Sequence, residues 1–257
     1  MEKKHPLPWL NMLVSETFYL SHFLLFFSYF VVRASASQML SPDITDRLFR
    51  REIQVILAFS VLIAIKQMVK EETWEAFIAD TLLFAKVFLL MVALIMDYHL
   101  ALCYLVGFLV IFISTQQPAY QGLGNSNQLT PLQLEALLTE GNTSRFWLVE
   151  FRALCSSTSI RTSRIFPDLS ITYSNKNLSF GIVDLGLFPN AAEKFGISLG
   201  GIAAELPTYI LFDNAVEVAR FPGIEFEAKA SRPSITKKLL CRHFELDRHL
   251  VEYVHGK

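Results

Sequence analysis

Cysteine is scarce in this sequence, whose 257 residues include only three, Cys103, Cys155 and Cys241. Three thiols so far apart cannot form a disulfide framework, and their spacing is not that of a zinc site. An excess of basic residues is also missing, because the formal net charge is −1. Nucleic-acid binding needs a basic patch, so we expect no nucleic-acid partner. We also expect no metal ion and no cofactor.

Charged residues are sparse as well, at 18% of the chain, against about 25% in ordinary soluble domains. The shortage lies before residue 114, where apolar runs occur at 17–32, 53–65, 81–96 and 100–113. The last run is the most typical of a membrane span, whereas 53–65 has 13 residues and could instead lie at the interface. The sequence therefore predicts a membrane region over residues 1–113, with two to four hydrophobic helices and membrane lipid as its partner.

Lysine and arginine residues close to a membrane favour its cytoplasmic side. If the run 53–65 does not cross, the segment between the first and third runs carries six of them, against two at the N-terminus. That count favours a cytoplasmic C-terminal half, and the answer is reversed if the run 81–96 only lies at the surface. If the run does cross, the count is four on each side and decides nothing. The sequons at Asn142 and Asn177 would be glycosylated only on the luminal side, so they test the orientation.

The segments after a polar linker at 114–128 alternate between helix-like and strand-like patterns. Thr130 and Gln133 have the spacing of a helix capping box, and Pro167 predicts a kink in the helix that contains it. We predict helices at 130–140, 156–175, 190–196 and 235–254, and strands at 145–151, 179–185, 206–212 and 216–221. This order predicts a sheet of mixed strand direction with helices on its faces.

Four motifs follow one another after the linker: LVEFRALCSST, FGIVDLGLFPNAAEKFGI, LPTYILF and VEVARFPG. With them, residues 129–254 resemble a thioredoxin domain. Together with the apolar runs upstream, the whole chain resembles the thioredoxin-related transmembrane protein 2 family. The resemblance implies an α/β thioredoxin-like fold over 129–257, with a mixed central sheet flanked by helices, preceded by an all-α transmembrane region. It also implies a multi-pass protein of the endoplasmic reticulum membrane, including its mitochondria-associated part, that contributes to redox homeostasis.

The sequence departs from the family at the redox motif, where Cys-x-x-Cys is replaced by Cys155, Ser156, Ser157 and Thr158. The resemblance gives Cys155 the position of the attacking thiol, at a helix N-terminus whose N–H groups would acidify it. Thr158 replaces the resolving cysteine. A hydroxyl could donate a hydrogen bond to a thiolate, but it cannot release a mixed disulfide. An oxidoreductase cycle with two cysteines in one subunit is therefore not expected.

Three further positions follow from the resemblance. The family's cis-proline falls at Pro207, which makes Leu206 and Pro207 the predicted binding segment for a client strand. The family's buried acid falls at Glu150, which could relay protons or could be a solvated or salt-bridged carboxylate at a strand end. Cys241 lies on the last predicted helix, where a small apolar packing role is expected.

Three functions remain compatible with a single active-site thiol. The domain could be a redox-responsive module or bind protein clients or membrane-protein partners. It could be a monothiol oxidoreductase whose adduct is resolved by glutathione or another external thiol. It could also be the structural part of a membrane adaptor that acts through its helices. The sequence does not identify the client or the number of spans.

Overall fold

We analysed a computed structural model, which describes residues 16–36, 42–68, 73–139, 145–199, 206–223 and 234–256. The chain divides into two compact units. The helical unit comprises residues 1–70 and 77–118, and the sheet unit comprises residues 71–76 and 119–257. Each unit is described below by itself.

Four helices make up the described part of the helical unit. They are α1 (Thr17–Ala36), α2 (Pro42–Met68), α3 (Trp74–Met96) and α4 (Tyr98–Ser114). Pro42 occupies the first position of α2, where a missing N–H removes no helical hydrogen bond. Helices α1 and α3 are long and apolar enough to cross a membrane, and α4 is a shorter apolar helix of 17 residues. The all-α membrane region that the sequence predicts is therefore present.

The helical unit has a small apolar interior and an extensive apolar surface. Its interior includes Tyr29, Leu48, Leu89, Val92, Ala93 and Tyr104. Polar groups are also inside: His22 is buried, and Arg33 Nε donates to Glu52 Oε1 at 2.9 Å. Exposed large apolar side chains occur on all four helices and include Phe23, Leu24, Phe30, Leu57, Val61, Leu83, Leu94, Leu102 and Phe112. A surface of this kind suits lipid and not water.

A five-stranded mixed sheet forms the centre of the sheet unit. The strands are β1 (Asn127–Gln128), β2 (Phe146–Arg152), β3 (Leu178–Asp184), β4 (Thr208–Asp213) and β5 (Val216–Phe221). Their spatial order is β1-β3-β2-β4-β5. Strands β1, β3 and β2 run parallel, whereas β4 and β5 are antiparallel to their neighbours. The mixed sheet confirms the predicted fold class.

In the described part of the sheet unit, six helices surround the sheet: α5 (Pro131–Thr139), α6 (Ser157–Thr162), α7 (Ile165–Tyr173), α8 (Asn190–Lys194), α9 (Lys237–His243) and α10 (Leu246–His255). Because side chains alternate along a strand, each face of the sheet builds its own core. Val149 and Phe151 of β2 pack in the first core with Leu134 of α5 and Ala191 of α8. The second core includes Leu148, Phe166, Leu169, Tyr209, Leu240 and Leu246.

Local sequence signals explain several element ends. The predicted capping box starts α5, because Thr130 N donates to Gln133 Oε1 at 2.9 Å and Gln133 N donates to Thr130 Oγ1 at 3.3 Å. The predicted hairpin joins β4 to β5 through Asn214 and Ala215, both left-handed with φ of 47° and 71°. Two such residues match the twist of the flanking strands.

Two predicted helices are each broken in the structure. The segment 156–175 forms α6 and α7 instead of one kinked helix, and the break lies at Ser163 and Arg164. Ser163 Oγ donates to Ile160 O at 2.7 Å and accepts the Tyr120 N–H at 3.0 Å, so this residue anchors the linker instead of continuing the helix. Pro167 causes no kink because it lies in the first turn of α7, whose N–H groups need no helical partner.

The segment predicted as one helix at 235–254 forms α9 and α10. Phe244 and Leu246 are both buried in the second core although they are two positions apart. A continuous helix would direct two such residues to nearly opposite sides. The chain therefore turns between them at Glu245, which has a left-handed φ of 49°.

Candidate functional site

Three strand ends meet at one edge of the sheet and place the predicted site residues there. Strands β2 and β3 are parallel and end at this edge, where Arg152 lies opposite Asp184. Strand β4 is antiparallel to β2 and begins at the same edge, with Thr208 opposite Phe151. Cys155 follows β2 by three residues, and Pro207 directly precedes β4. Residues far apart in the sequence are thus brought to one edge.

Cys155 is exposed in the turn between β2 and α6. It lies one residue before the N-cap of α6, which is Ser156, and the Ser156 hydroxyl accepts the Ser159 N–H at 3.5 Å. The turn is closed by a hydrogen bond from Ser156 N to Ala153 O at 3.0 Å. The expected position at the helix N-terminus therefore holds only approximately. A serine hydroxyl caps α6, and the thiol lies just outside.

Thr158, at the position of the missing resolving cysteine, is exposed as the second residue of α6. Its carbonyl accepts the Thr162 hydroxyl at 2.9 Å. Within the part of the chain that the structure describes, the Thr158 hydroxyl makes no hydrogen bond to the Cys155 sulfur. The side-chain contact expected between them is thus not formed in this state.

The peptide bond between Leu206 and Pro207 is cis, as the resemblance implies. Leu206 is buried in the first core, and Thr208 of β4 is fully buried. The binding segment predicted at Leu206 and Pro207 is therefore held in place by the strand that follows it. A role in binding stays a prediction.

Glu150 is fully buried in the middle of the sheet, which excludes the solvated interpretation made from the sequence. Burial raises its pKa from 4.5 to about 7, and the positive charge of Arg152 acts in the opposite direction. The Arg152 Nη1 to Glu150 Oε2 distance is 3.9 Å. Tyr209 lies opposite Glu150 on β4. The Tyr209 hydroxyl also favours the charged form of Glu150 and so lowers its pKa, although by less than burial raises it. Burial thus favours the protonated form of this group.

Sequence analysis did not identify Arg152 and Asp184 as residues of this site. Arg152 is almost buried, and its carbonyl accepts the Leu185 N–H at 2.7 Å. Asp184 Oδ1 accepts the Gly186 N–H at 2.8 Å, which shapes the turn after β3. The spacing of Glu150 and Arg152 could have revealed their pairing, because residues two apart on a strand share a face.

The surface at this edge is partly apolar. Leu154 precedes Cys155 and is exposed, and Leu187 and Phe188 are exposed in the turn after β3. The two turns are adjacent, because a Cβ built on Gly186 would lie 4.0 Å from the Ala153 Cβ. The exposed thiol is therefore flanked by exposed apolar side chains.

The other cysteines do not contribute to this edge. All three thiols are free. Cys241 is half-buried on α9 against the second core, where its thiol donates to Tyr173 Oη at 3.4 Å and burial raises its pKa. Among the described residues, no group of three or more His, Cys, Asp or Glu side chains could hold a metal ion. Asn177 is exposed before β3, and Asn142 lies outside the described residues.

Comparison with curated proteins gives the relatives of this chain. It is 28% identical over 198 residues to thioredoxin-related transmembrane protein 2 of Xenopus tropicalis, covering 77% of this chain and 68% of that protein. The curated proteins that the chain matches under this name are its homologues. The Xenopus laevis protein of the same name is 29% identical with the same coverage, and the Caenorhabditis elegans homolog is 26% identical over 182 residues, covering 70% and 67%. The resemblance stated from the sequence is thereby confirmed. No protein-family model matches the chain.

Solved thioredoxins are similar to part of the chain. The reduced thioredoxin pre-protein of Schistosoma mansoni is 20% identical, covers 49% of this chain and 98% of its own, and gives a TM-score of 0.35. Plasmodium falciparum thioredoxin is 15% identical with 48% and 97% coverage and a TM-score of 0.35. The strand order and the homologues carry the fold assignment. The chain is a membrane protein with a thioredoxin-like domain.

Proposed function

We propose that the sheet unit is a redox-responsive, partner-binding module that forms mixed disulfides through Cys155 and has no internal means of releasing them. The observation that supports this most is the exposed Cys155 at the sheet edge, followed by Ser156, Ser157 and Thr158. The other sheet-unit thiol, Cys241, packs against the second core. Leu154, Leu187 and Phe188 supply apolar surface for a partner, and the backbone at Leu206 and Pro207 supplies the segment with which a client strand would pair.

The proposed reaction is thiol–disulfide exchange. The Cys155 thiolate attacks one sulfur of a disulfide in a partner protein or in oxidised glutathione, the old S–S bond breaks, and the other half leaves as a thiolate. Cys155 is then joined to its partner by a new S–S bond. A reduced external thiol reverses the step by the same exchange. Because Thr158 cannot attack that bond, the adduct persists until such a thiol arrives.

The test uses the full chain in membranes. Oxidised glutathione is added, excess thiol is blocked, and intact-mass analysis counts glutathione adducts while non-reducing gels count protein adducts. We expect one adduct in the wild type and in Cys241→Ser, and none in Cys155→Ser. Cys241→Ser is the matched control because it also loses one sheet-unit thiol. The absence of any adduct on Cys155 would contradict the proposal and favour an adaptor with a structural domain.

Monothiol catalysis is a second candidate, favoured by the exposure of Cys155 to small thiols. It differs from binding in that reduced glutathione would restore free Cys155 repeatedly. Turnover of a glutathionylated peptide that depends on reduced glutathione, and that disappears in Cys155→Ser, would support it. A single stoichiometric release without turnover would support the binding module.

We also propose that the chain is a multi-pass protein of the endoplasmic reticulum membrane with its sheet unit on the cytoplasmic side. The names of the homologues support a membrane location. A reducing compartment would keep the exposed Cys155 available. In sealed microsomes, added protease should remove the sheet unit. Protection of that unit, together with an endoglycosidase-sensitive glycan on Asn177, would place it in the lumen.

A further inference from the structure

The directions of the helices in the helical unit follow from their contacts. His22 of α1 stacks near Phe108 of α4 at 6.5 Å, and Ser28 Oγ lies 3.1 Å from Tyr104 Oη. The contacts advance along α1 while they retreat along α4, so these two helices are antiparallel. Helices α3 and α4 are also antiparallel, because Lys86 Nζ lies 5.6 Å from the Phe108 ring across the hairpin at Asp97. It follows that α1 and α3 run in the same direction.

Helix α2 runs in the opposite direction. Lys66 pairs with Asp80, and the Phe59 and Phe88 rings are 5.7 Å apart. The contacts thus move toward the start of α2 as they move along α3. The sequence alone left two possibilities open for residues 53–65, crossing or lying at the interface. The helix directions that follow from these contacts distinguish between the two possibilities.

We propose that α2 crosses the membrane, so that the helical unit makes four crossings, and that its exposed apolar stripe contacts lipid acyl chains. Two spans that run in the same direction require the chain to return between them. Helices α1 and α3 are the two candidate spans, and α2 is the helix between them. If α2 lay along the surface, α1 and α3 would have to cross in opposite directions.

The surface of α2 agrees with this assignment. Phe49, Ile53, Leu57, Val61 and Ile65 are exposed and recur every four residues. They form a stripe that covers about 24 Å along the helix axis. The hydrocarbon core of a bilayer has a similar thickness of about 30 Å. The stripe joins a surface that is apolar on the other three helices as well, which is why lipid is the occupant we infer.

The charges of α2 lie toward its two ends. Arg47, Arg50 and Arg51 are exposed before the apolar run, and no charged residue occurs from Ile53 to Ile65. Glu52 faces inward and pairs with Arg33 and Tyr29 of α1, and Lys66 pairs with Asp80. Long basic side chains at helix ends can extend to the headgroups. A helix whose carboxylate faces the neighbouring helices and whose exposed side chains are apolar is suited to a lipid environment.

Four crossings have a consequence for topology. The chain leaves the membrane after α4 on the side where it entered before α1. The lysine and arginine count becomes four on each side, so it no longer favours either orientation. This inference rests on the membrane location in the proposed function, and it does not depend on any reaction of Cys155.

The test places single cysteines in the full chain, in a background of Cys103→Ser, Cys155→Ser and Cys241→Ser. Ser37→Cys probes the connection before α2, and Glu71→Cys probes the connection after it. Sealed microsomes are treated with a membrane-impermeant maleimide before and after the vesicles are opened. We expect opposite behaviour: one probe labels in sealed vesicles and the other only after opening. Asp97→Cys should match Ser37→Cys, and Gln121→Cys should match Glu71→Cys.

Identical labelling of Ser37→Cys and Glu71→Cys, in a chain that resists alkaline carbonate extraction, would overturn the crossing of α2. Extraction of the chain by carbonate would overturn the membrane location itself, so the two failures are distinguishable. A second measurement checks the stripe. Val61→Cys should stay unlabelled in opened vesicles, while Glu193→Cys, exposed on α8, labels fully. Equal labelling of these two residues would place the stripe in water and contradict the proposal.

Discussion

In the helical unit large apolar side chains cover the outside, and the inside holds an ion pair between Arg33 and Glu52 together with a buried His22. In the sheet unit the arrangement is reversed, because the aromatic and aliphatic residues fill two cores and the exposed helix faces carry charge. Helix α10 shows this with Arg248, which pairs with Glu245 and Glu252 at the surface.

The contrast shows that each unit is organised by its own solvent. Apolar burial stabilises the sheet unit because it removes surface from water. Between helices in lipid that gain is absent, so packing and polar contacts remain. Glu150 and Arg152 are exceptions in the sheet unit, since both are ionisable side chains buried among apolar residues.

Truncation of a leucine should cost more in the sheet unit than in the helical unit. Leu148→Ala removes a fully buried side chain from β2, and we expect a loss of about 2 to 5 kcal/mol of stability. Leu89→Ala in α3 should cost less than half as much, because its side chain avoids water in either state. Hydrogen exchange measured by mass spectrometry reports each unit separately. Equal losses of protection in β2 and α3 would contradict the contrast.

A charge on an exposed apolar position should matter only in the helical unit. Leu24 on α1 is 57% exposed and Val218 on β5 is 60% exposed, so the two sites are matched. Leu24→Lys should disfavour membrane insertion by about 3 kcal/mol, whereas Val218→Lys should change stability by less than about 0.5 kcal/mol. The carbonate-resistant fraction and the thermal midpoint measure the two effects. Normal insertion of Leu24→Lys would show that this face does not meet lipid.

Glu150 should make the sheet unit less stable as pH rises. Its pKa is raised from 4.5 to about 7 by burial, so between those values the folded state keeps a proton that the unfolded state has lost. Stability should therefore fall from about pH 4.5 to about pH 7 and then level off, by up to about 3 kcal/mol. Glu150→Gln should remove this slope.

The matched control for that titration is Glu193→Gln, which removes an exposed carboxylate from α8. Thermal unfolding of the solubilised chain across this pH range provides the measurement. A slope that persists in Glu150→Gln, or that disappears in Glu193→Gln, would assign the pH dependence to another group.

Two exposed thiols should react at different rates because they face different solvents. Cys155 is exposed in the sheet unit and Cys103 is exposed on α4. A water-soluble maleimide should modify Cys155 at least about tenfold faster, since the reacting thiolate forms in water and not among acyl chains. Intact-mass kinetics on the Cys155→Ser and Cys103→Ser variants separate the two rates. Similar rates in membranes would place α4 in contact with water.

Patterns of apolar residues predicted the architecture well. The capping box at Thr130 and Gln133 and the β4–β5 hairpin were predictable because each depends on residues close in sequence, and the mixed sheet was predictable from the order of the helix-like and strand-like segments. The break at Glu245 was not. The break allows both Phe244 and Leu246 to be buried against the sheet. This requirement comes from tertiary packing, so it could not be predicted from helical periodicity.

The candidate site was predictable in its residues more than in its contacts. Cys155, Pro207 and Glu150 came from a motif order, which carries no information on side-chain pairing. The approach of Arg152 to Glu150 depends on both residues sharing a strand face in a buried layer. Strand β1 was missed because Asn127 and Gln128 are two polar residues that pair with β3 only through their backbone. Gly181, the partner of Asn127, leaves room for the side chain of Leu129.

The exposed cysteine that lacks a second thiol beside it has a kinetic consequence. An enzyme with two cysteines sets the lifetime of its own adduct, whereas the adduct proposed for Cys155 would have a lifetime inversely proportional to the concentration of free thiols around the domain. Under that proposal, a partner bound when those thiols are scarce would stay attached and would dissociate as they recover. The dissociation rate of the complex would thus be set by the surrounding thiols and not by the protein.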